Sequence, residues 1–106
     1  MVDINDVIKE SLSDIEYDKI ILFGSRAKNN FNKNSDYDLL IIINKEISDK
    51  EKIQLSTCIR RRLAKKMIDA DIIVKNTNDI NYYKDKLGSI VRTAINEGIV
   101  LWLMII

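Results

Sequence analysis

The side chains able to do chemistry in this sequence are acids. Asp36 and Asp38 stand two apart at the mouth of an apolar run, Leu39-Leu40-Ile41-Ile42-Ile43, and Gly24-Ser25 precedes them across ten intervening residues, 26 to 35. The pattern is G-S-x10-D-x-D. On a strand, positions i and i+2 project from one face roughly 6 to 7 Å apart, so the two carboxylates can hold metal ions together. A divalent cation relieves their repulsion. Hard oxygen ligands without soft ones favour Mg²⁺ or Mn²⁺, ions that keep waters and phosphate oxygens in their remaining positions. The expected ligand is a metal-phosphate complex.

The same segment supplies a phosphate cradle. Gly24 has no Cβ to keep phosphate oxygens from the backbone amides, the Ser25 hydroxyl can donate to them, and a short helix starting here would add its dipole. Arg26 and Lys28 place mobile positive charge beside it. A third carboxylate, which would hold one metal and take the proton of an attacking hydroxyl, is expected on a neighbouring strand. Asp69 and Asp71 both qualify by position. Asp71 is preferred, because Ile72-Ile73-Val74 follow it as Leu39-Leu40-Ile41 follow Asp38; Asp69 then lies at the wet edge of the strand.

The elements that must position these acids follow from periodicity. Ile4, Val7, Ile8, Leu12 and Ile15 recur at helical spacing, with Asp3 or Asn5 as cap, which predicts an amphipathic helix over 3–15. Ile20 to Phe23 reads as a first buried strand, ended by Gly24, and Leu39 to Ile43 as a second, apolar on both faces. Ser48 or Asp49 caps a long helix to about Lys66 whose buried stripe is Leu55, Ile59, Leu63 and Met67. Ala70 to Val74 is a third strand. Thr77 opens a helix with Ile80, Tyr83 and Leu87 inward, closed by Gly88; Ser89 opens another with Ile90, Val91, Ala94 and Ile95, closed by Gly98, both glycines being read as left-handed helix ends. The last eight residues, IVLWLMII, read as a final strand, either buried or a contact for another subunit.

Composition bounds the function. The chain of 106 residues is read as one domain, 1–106, without linkers or repeats. Seventeen Lys and Arg against sixteen Asp and Glu give a net charge of +1, which removes the global field that draws proteins to nucleic acid or anionic lipid. One cysteine and no histidine exclude an internal disulfide, a Cys/His zinc site and any histidine base. The opening MVDINDVIKE carries no basic and then apolar leader, and no apolar run reaches the roughly 18 residues of a membrane span, so a cytoplasmic protein is expected.

The string LFGSRAKNNFNKNSDYDLLIII, with DADIIV and INEGIVLW later, resembles the minimal nucleotidyltransferases of the polymerase-β-like superfamily, from about residue 17 to 102. The resemblance implies an α/β (α+β) fold with a small mixed sheet flanked by helices, and transfer of a nucleoside monophosphate from an NTP with release of pyrophosphate. It also implies two Mg²⁺ ions, with Mn²⁺ an alternative, and ATP as substrate. Carried over, Gly24, Ser25 and Arg26 hold the triphosphate, Asp36 and Asp38 hold the metals, and Asp71 completes the metal site and serves as base. Many such proteins pair with a HEPN-domain toxin, acting as antitoxin, which makes a hydroxyl on that partner, a tyrosine among the candidates, the implied acceptor. The chain lacks the further helical domain of larger relatives that modify aminoglycosides or tRNA, so the acceptor is expected to be a separate protein, within a homo- or hetero-oligomer. Two other readings stand beside this one: a non-catalytic antitoxin or nucleotide-binding module that masks its partner by contact, and an RNA- or small-molecule-directed transferase that borrows its acceptor surface from another subunit.

Other conspicuous residues receive structural roles. Arg60-Arg61-Arg62 with Lys65 and Lys66 could contact phosphate or an acidic partner, but they fan around a helix and read rather as a solvated face. Cys58 reads as a small core residue, Tyr37 as a packing residue facing away from Asp36 and Asp38, and Tyr82 and Tyr83 as helix supports.

Overall fold

Runs of Ile and Leu with apolar side chains on both faces demand cover on both sides, and the fold supplies it. The computed structural model describes residues 3–28 and 36–103. The turn-rich stretch 29–35 and the tail residues 104–106, on which the sequence reading also drew, lie outside the described residues. In chain order come α1 (Ile4–Ser11), β1 (Lys19–Phe23), a 3-10 turn (Ser25–Lys28), β2 (Tyr37–Ile43), α2 (Asp49–Lys65), β3 (Ala70–Asn76), α3 (Thr77–Tyr83), α4 (Ile90–Glu97) and β4 (Ile99–Leu103). The four strands form one mixed sheet in the order β3-β2-β1-β4. β2 and β3 are parallel, joined by the α2 crossover, whereas β1 pairs antiparallel with both β2 and β4.

Alternation along the strands divides the core in two. Ile20, Leu39 and Ile41 point towards α1 and α2 and are fully buried with Ile8, Leu12, Ile59 and Leu63. Ile21, Phe23, Leu40 and Ile42 point to the other face, where Ala94 of α4, Ile80 of α3 and Ile73 pack on them. Each such side chain removed from water stabilises the fold by about 1.5 to 3 kcal/mol. The helices start where side chains satisfy free amides: Asp3 accepts from Asn5, and Ser48 and Glu51 form a reciprocal capping box at α2. Among the described residues no helix is long and apolar enough to cross a membrane.

Several expectations are corrected. α1 stops at Ser11 rather than running to Ile15; the Ser11 hydroxyl donates back to the Val7 carbonyl, and Arg62 draws the Ser11 carbonyl and the Asp14 carboxylate towards α2. Met67 leaves the buried stripe of α2 and is 92% exposed, because the helix has ended and the backbone turns left-handed there (φ 64°), which gives the core position to Ile68. α3 ends at Tyr83, so Tyr83 and Leu87 are exposed and Ile80 alone of the expected trio packs inward. In α4, Val91 and Ala94 are buried while Ile90 and Ile95 are exposed. Cys58 is exposed: it neighbours Ile59 in sequence, but one helical step turns it about 100° away from the core.

Gly88 has the expected left-handed backbone, whereas Gly98 is extended, at φ −80° and ψ 165°. A Cβ at Gly98 would collide with the Ile21 side chain and the Ala94 carbonyl, so contact between α4 and β1 demands this glycine. β4 is an edge strand in which Trp102 meets Tyr17 edge to face at 4.8 Å, while Ile99 and Val100 stay half exposed.

Candidate active site

Three strand ends meet at one corner of the sheet. In the β1–β2 ladder Phe23 is opposite Asp38, and in the parallel β2–β3 ladder Asp38 is opposite Asp71. Asp38 shares a strand face with Leu40 and Ile42, and Asp71 shares one with Ile73, so both carboxylates stand on the α4 side of the sheet, one step beyond its apolar core. Asp69, the other candidate, is exposed just before β3 and contributes its carbonyl, which accepts from the Tyr37 amide at 2.9 Å.

Gly24 leaves β1 with φ +73°, and a Cβ there would collide with Asp38 Oδ2. Glycine is thus required twice, by backbone conformation and by space. The chain then closes into the 3-10 turn, with the Ala27 amide donating to the Gly24 carbonyl at 3.1 Å, and half-buried Ser25 opens that turn. The expectation that Gly24 lets something come close is met in part by Asp38 itself.

Asp38 is half-buried and Asp36 and Asp71 are exposed. Burial first, then the charges of Asp71 and Asp36, and a hydrogen bond with Asp71, push the Asp38 carboxyl above its ordinary range. The three acids of the sequence pattern therefore share one electrostatic neighbourhood, in which Asp38 and Asp71 touch. Among the described residues no three metal-binding side chains converge into a single coordination sphere. Two adjoining carboxylates with a third charge close by, all oxygen donors, nonetheless fit a hard divalent cation, which would relieve their mutual repulsion.

The basic side chains are engaged otherwise than expected. The Arg26 guanidinium lies 4.1 Å from the centre of the Tyr37 ring, and Tyr37 packs on the core face opposite Asp38. Lys28 pairs with Glu97 of α4 at 3.4 Å. Neither is the mobile cation that the sequence suggests. In the arginine triplet, Arg62 clasps Asp14 with two bonds of 2.5 and 2.9 Å, while Arg60 lines a cleft of about 330 Å³ shared with Asp38 and Asp71. Ser56 and Thr57 line the same cleft, with Phe23, Ile72 and Ile73 as its apolar wall. Sequence reasoning passed over Ser56 and Thr57 and gave Arg60 to the solvated face. The available signal was the helical row Ser56-Arg60, four apart and beside the buried Leu55-Ile59-Leu63 row, on the helix that must cross from β2 to β3.

Known proteins match this arrangement. A crystal structure of a MntA-HpeT toxin-antitoxin mutant superposes with a TM-score of 0.66 at 16% identity, covering 94% of this chain and 73% of the other. A toxin-antitoxin crystal structure with AMP-PNP gives 0.62 at 20% identity, covering 94% and 73%. Tri-AMPylated Shewanella oneidensis HEPN toxin in complex with MNT antitoxin gives 0.56 at 17% identity, covering 94% and 70%. No curated protein matches in sequence. The model of the family described as polymerase beta, nucleotidyltransferase, matches residues 4–103, spanning all the strands and helices above. With its paired acids at the strand ends and its glycine turn against them, this chain belongs to the polymerase beta nucleotidyltransferases.

Proposed function

We propose that this nucleotidyltransferase moves AMP from ATP, with Mg²⁺, onto a hydroxyl of a HEPN-domain toxin, and acts as that toxin's antitoxin. The contact between Asp38 and Asp71 at the ends of parallel strands, with Gly24 backed against Asp38, carries the reading. The structural neighbours that hold AMP-PNP, or an AMPylated HEPN toxin with its MNT antitoxin, support the choice of nucleotide and partner.

Asp36, Asp38 and Asp71 would hold the Mg²⁺ ions, which on binding supply charge stabilisation at the phosphates. Gly24 and Ser25 offer backbone amides and a hydroxyl to the triphosphate. Arg26, stacked on Tyr37, stands at the rim of that turn. The acceptor oxygen attacks the α-phosphorus in line, its new P–O bond forming as the bond to the β-phosphate oxygen breaks. Pyrophosphate leaves with that electron pair, and the hydroxyl proton passes to the Asp71 carboxylate.

The test incubates the protein with α-labelled ATP, Mg²⁺ and a HEPN-domain toxin, or whatever protein is encoded beside it. Label on the partner is expected, and its loss with Asp38→Asn. If that variant transfers AMP at the native rate the metal role is refuted, and if it neutralises the toxin without transfer, neutralisation is by contact.

A further inference from the structure

The turn that follows Gly24 is fastened on both faces of the sheet. Its second residue, Arg26, lays its guanidinium 4.1 Å from the centre of the Tyr37 ring, and Tyr37 packs on the face that α1 and α2 cover. Its fourth, Lys28, reaches the Glu97 carboxylate at 3.4 Å, on the α4 side. Both anchors are themselves fixed relative to the acids. Tyr37 stands between Asp36 and Asp38, and its amide donates to the Asp69 carbonyl at 2.9 Å, which ties it to the start of β3. Glu97 is the last residue of α4, a helix rooted by buried Val91 and Ala94. A Cβ on the next residue, Gly98, would meet the Ile21 side chain and the Leu22 carbonyl, so this helix end is seated on the strand that leads into Gly24.

An arginine and a lysine beside a triphosphate turn invite the reading that both bind phosphate directly. To do so, each would have to leave the partner it already holds. Neither contact is strong alone: an ion pair whose side chains are 50% and 47% exposed, and a guanidinium over a ring, each shift an equilibrium only a few-fold. Applied to one short turn from opposite sides, they are suited to limiting where that turn can go. A loop held in its binding position loses less freedom when the ligand arrives, and affinity rises accordingly.

We infer that Tyr37 and Glu97 are positioning residues for the nucleotide: through Arg26 and Lys28 they hold the Ser25–Lys28 turn in place beside Asp38. The groups offered to the triphosphate thereby keep register with the carboxylates beside them. Arg26 and Lys28 are the arms of this clasp and stay on their partners when nucleotide binds. Tyr37 serves the site from behind, since the strand residue that points away from Asp36 and Asp38 is the one that fixes the turn. The assignment rests on the nucleotide reading of the Gly24 turn and adds what holds that turn in place.

The test measures affinity for AMP-PNP with Mg²⁺ by calorimetry, on the native chain and on variants at the two anchors. Glu97→Gln removes a negative charge near a polyphosphate, which by charge alone would tighten binding. Binding about threefold weaker is expected instead, the scale of an exposed ion pair. Lys28→Met should weaken it too, and adding Glu97→Gln to Lys28→Met should cause no further loss, because both changes break the same contact. Tyr37→Leu should weaken binding about threefold, while Tyr37→Phe, which keeps the ring, should bind as the native chain does. Tighter or unchanged binding by Glu97→Gln overturns the Glu97 anchor, and native affinity in Tyr37→Leu overturns the Tyr37 anchor. Glu97 is exposed, so its arm of the test stands whether or not Tyr37→Leu folds. A native chain that does not bind AMP-PNP overturns the nucleotide reading, and both anchors with it.

Discussion

The two ends of β3 put carboxylates to opposite uses. At its start, Asp71 faces Asp38 with Asp36 in range, like charges crowd together, and the Asp38 carboxyl is pushed upward by burial and by its neighbours. At its far end, Asp79 caps α3 through the Asn76 amide, accepting at 3.0 Å, and also receives the Lys52 ammonium. Burial raises the Asp79 carboxyl, but the bonds from Lys52 and Asn76 outweigh it and hold the group below its ordinary value. One cluster is assembled against its own electrostatics and the other by them. Acids that cost stability need a ligand to explain them; acids that supply it do not.

Substitutions can break this comparison or sharpen it. The largest effect is expected from Asp38→Asn, which should lower AMP transfer by about a thousandfold or more, the scale of losing a major transition-state contact. Its melting temperature should stay level or rise, because a repulsion is removed while an amide can still donate to Asp71; a clear fall would mean that Asp38 is structural. Gly24→Ala comes next. It places a methyl group on Asp38 Oδ2 in a left-handed backbone, at a cost of about 1 to 3 kcal/mol in denaturant unfolding, and nucleotide affinity should fall with it.

Lys52→Met tests the other end. It strands the Asp79 carboxylate and should destabilise by about 2 kcal/mol, below the range for fully buried pairs because Asp79 retains some water contact. Transfer per folded molecule should be unaffected, and an equal loss of activity would erase the distinction between the two ends. The smallest effect is in pH. The folded pKa of Asp79 lies below its ordinary value of 3.8, so its contribution is present above that value and fades as pH falls through the folded one. Lys52 is raised from 10.5, first by its bond to Asp79, so its share persists at neutrality and is lost only as pH climbs through its folded value. Unfolding titrations of the native chain and of Asp79→Asn should diverge at neutral pH and converge in acid.

The meeting of Gly24, Asp38 and Asp71 was legible in sequence because that corner is built from strand ends. Period-two alternation put Asp36 and Asp38 on one side of Tyr37, the matching apolar runs after Asp38 and Asp71 aligned the two acids, and Gly24 had no helix end to account for it. Helix rotation was not legible in the same way. Whether Arg60 or Arg62 turns towards the acids depends on how α2 lies across β2 and β3, a tertiary fact absent from its own periodicity. Met67 and Leu87 were misread because a four-residue repeat is counted past the point where the helix stops. Arg26 was assigned to phosphate by adjacency, and its stacking on the flat ring of Tyr37 depends on how the turn folds back over β2, which adjacency does not show.

Gly98 governs how far apart α4 and β1 can stand. Those two elements nestle so tightly that even one methyl group would act as a wedge, and Glu97, next door, tethers the turn that follows Gly24. Ornament at position 98 would therefore be felt as slack in the turn that follows Gly24, making this plain residue the hidden hinge pin of a corner it never touches.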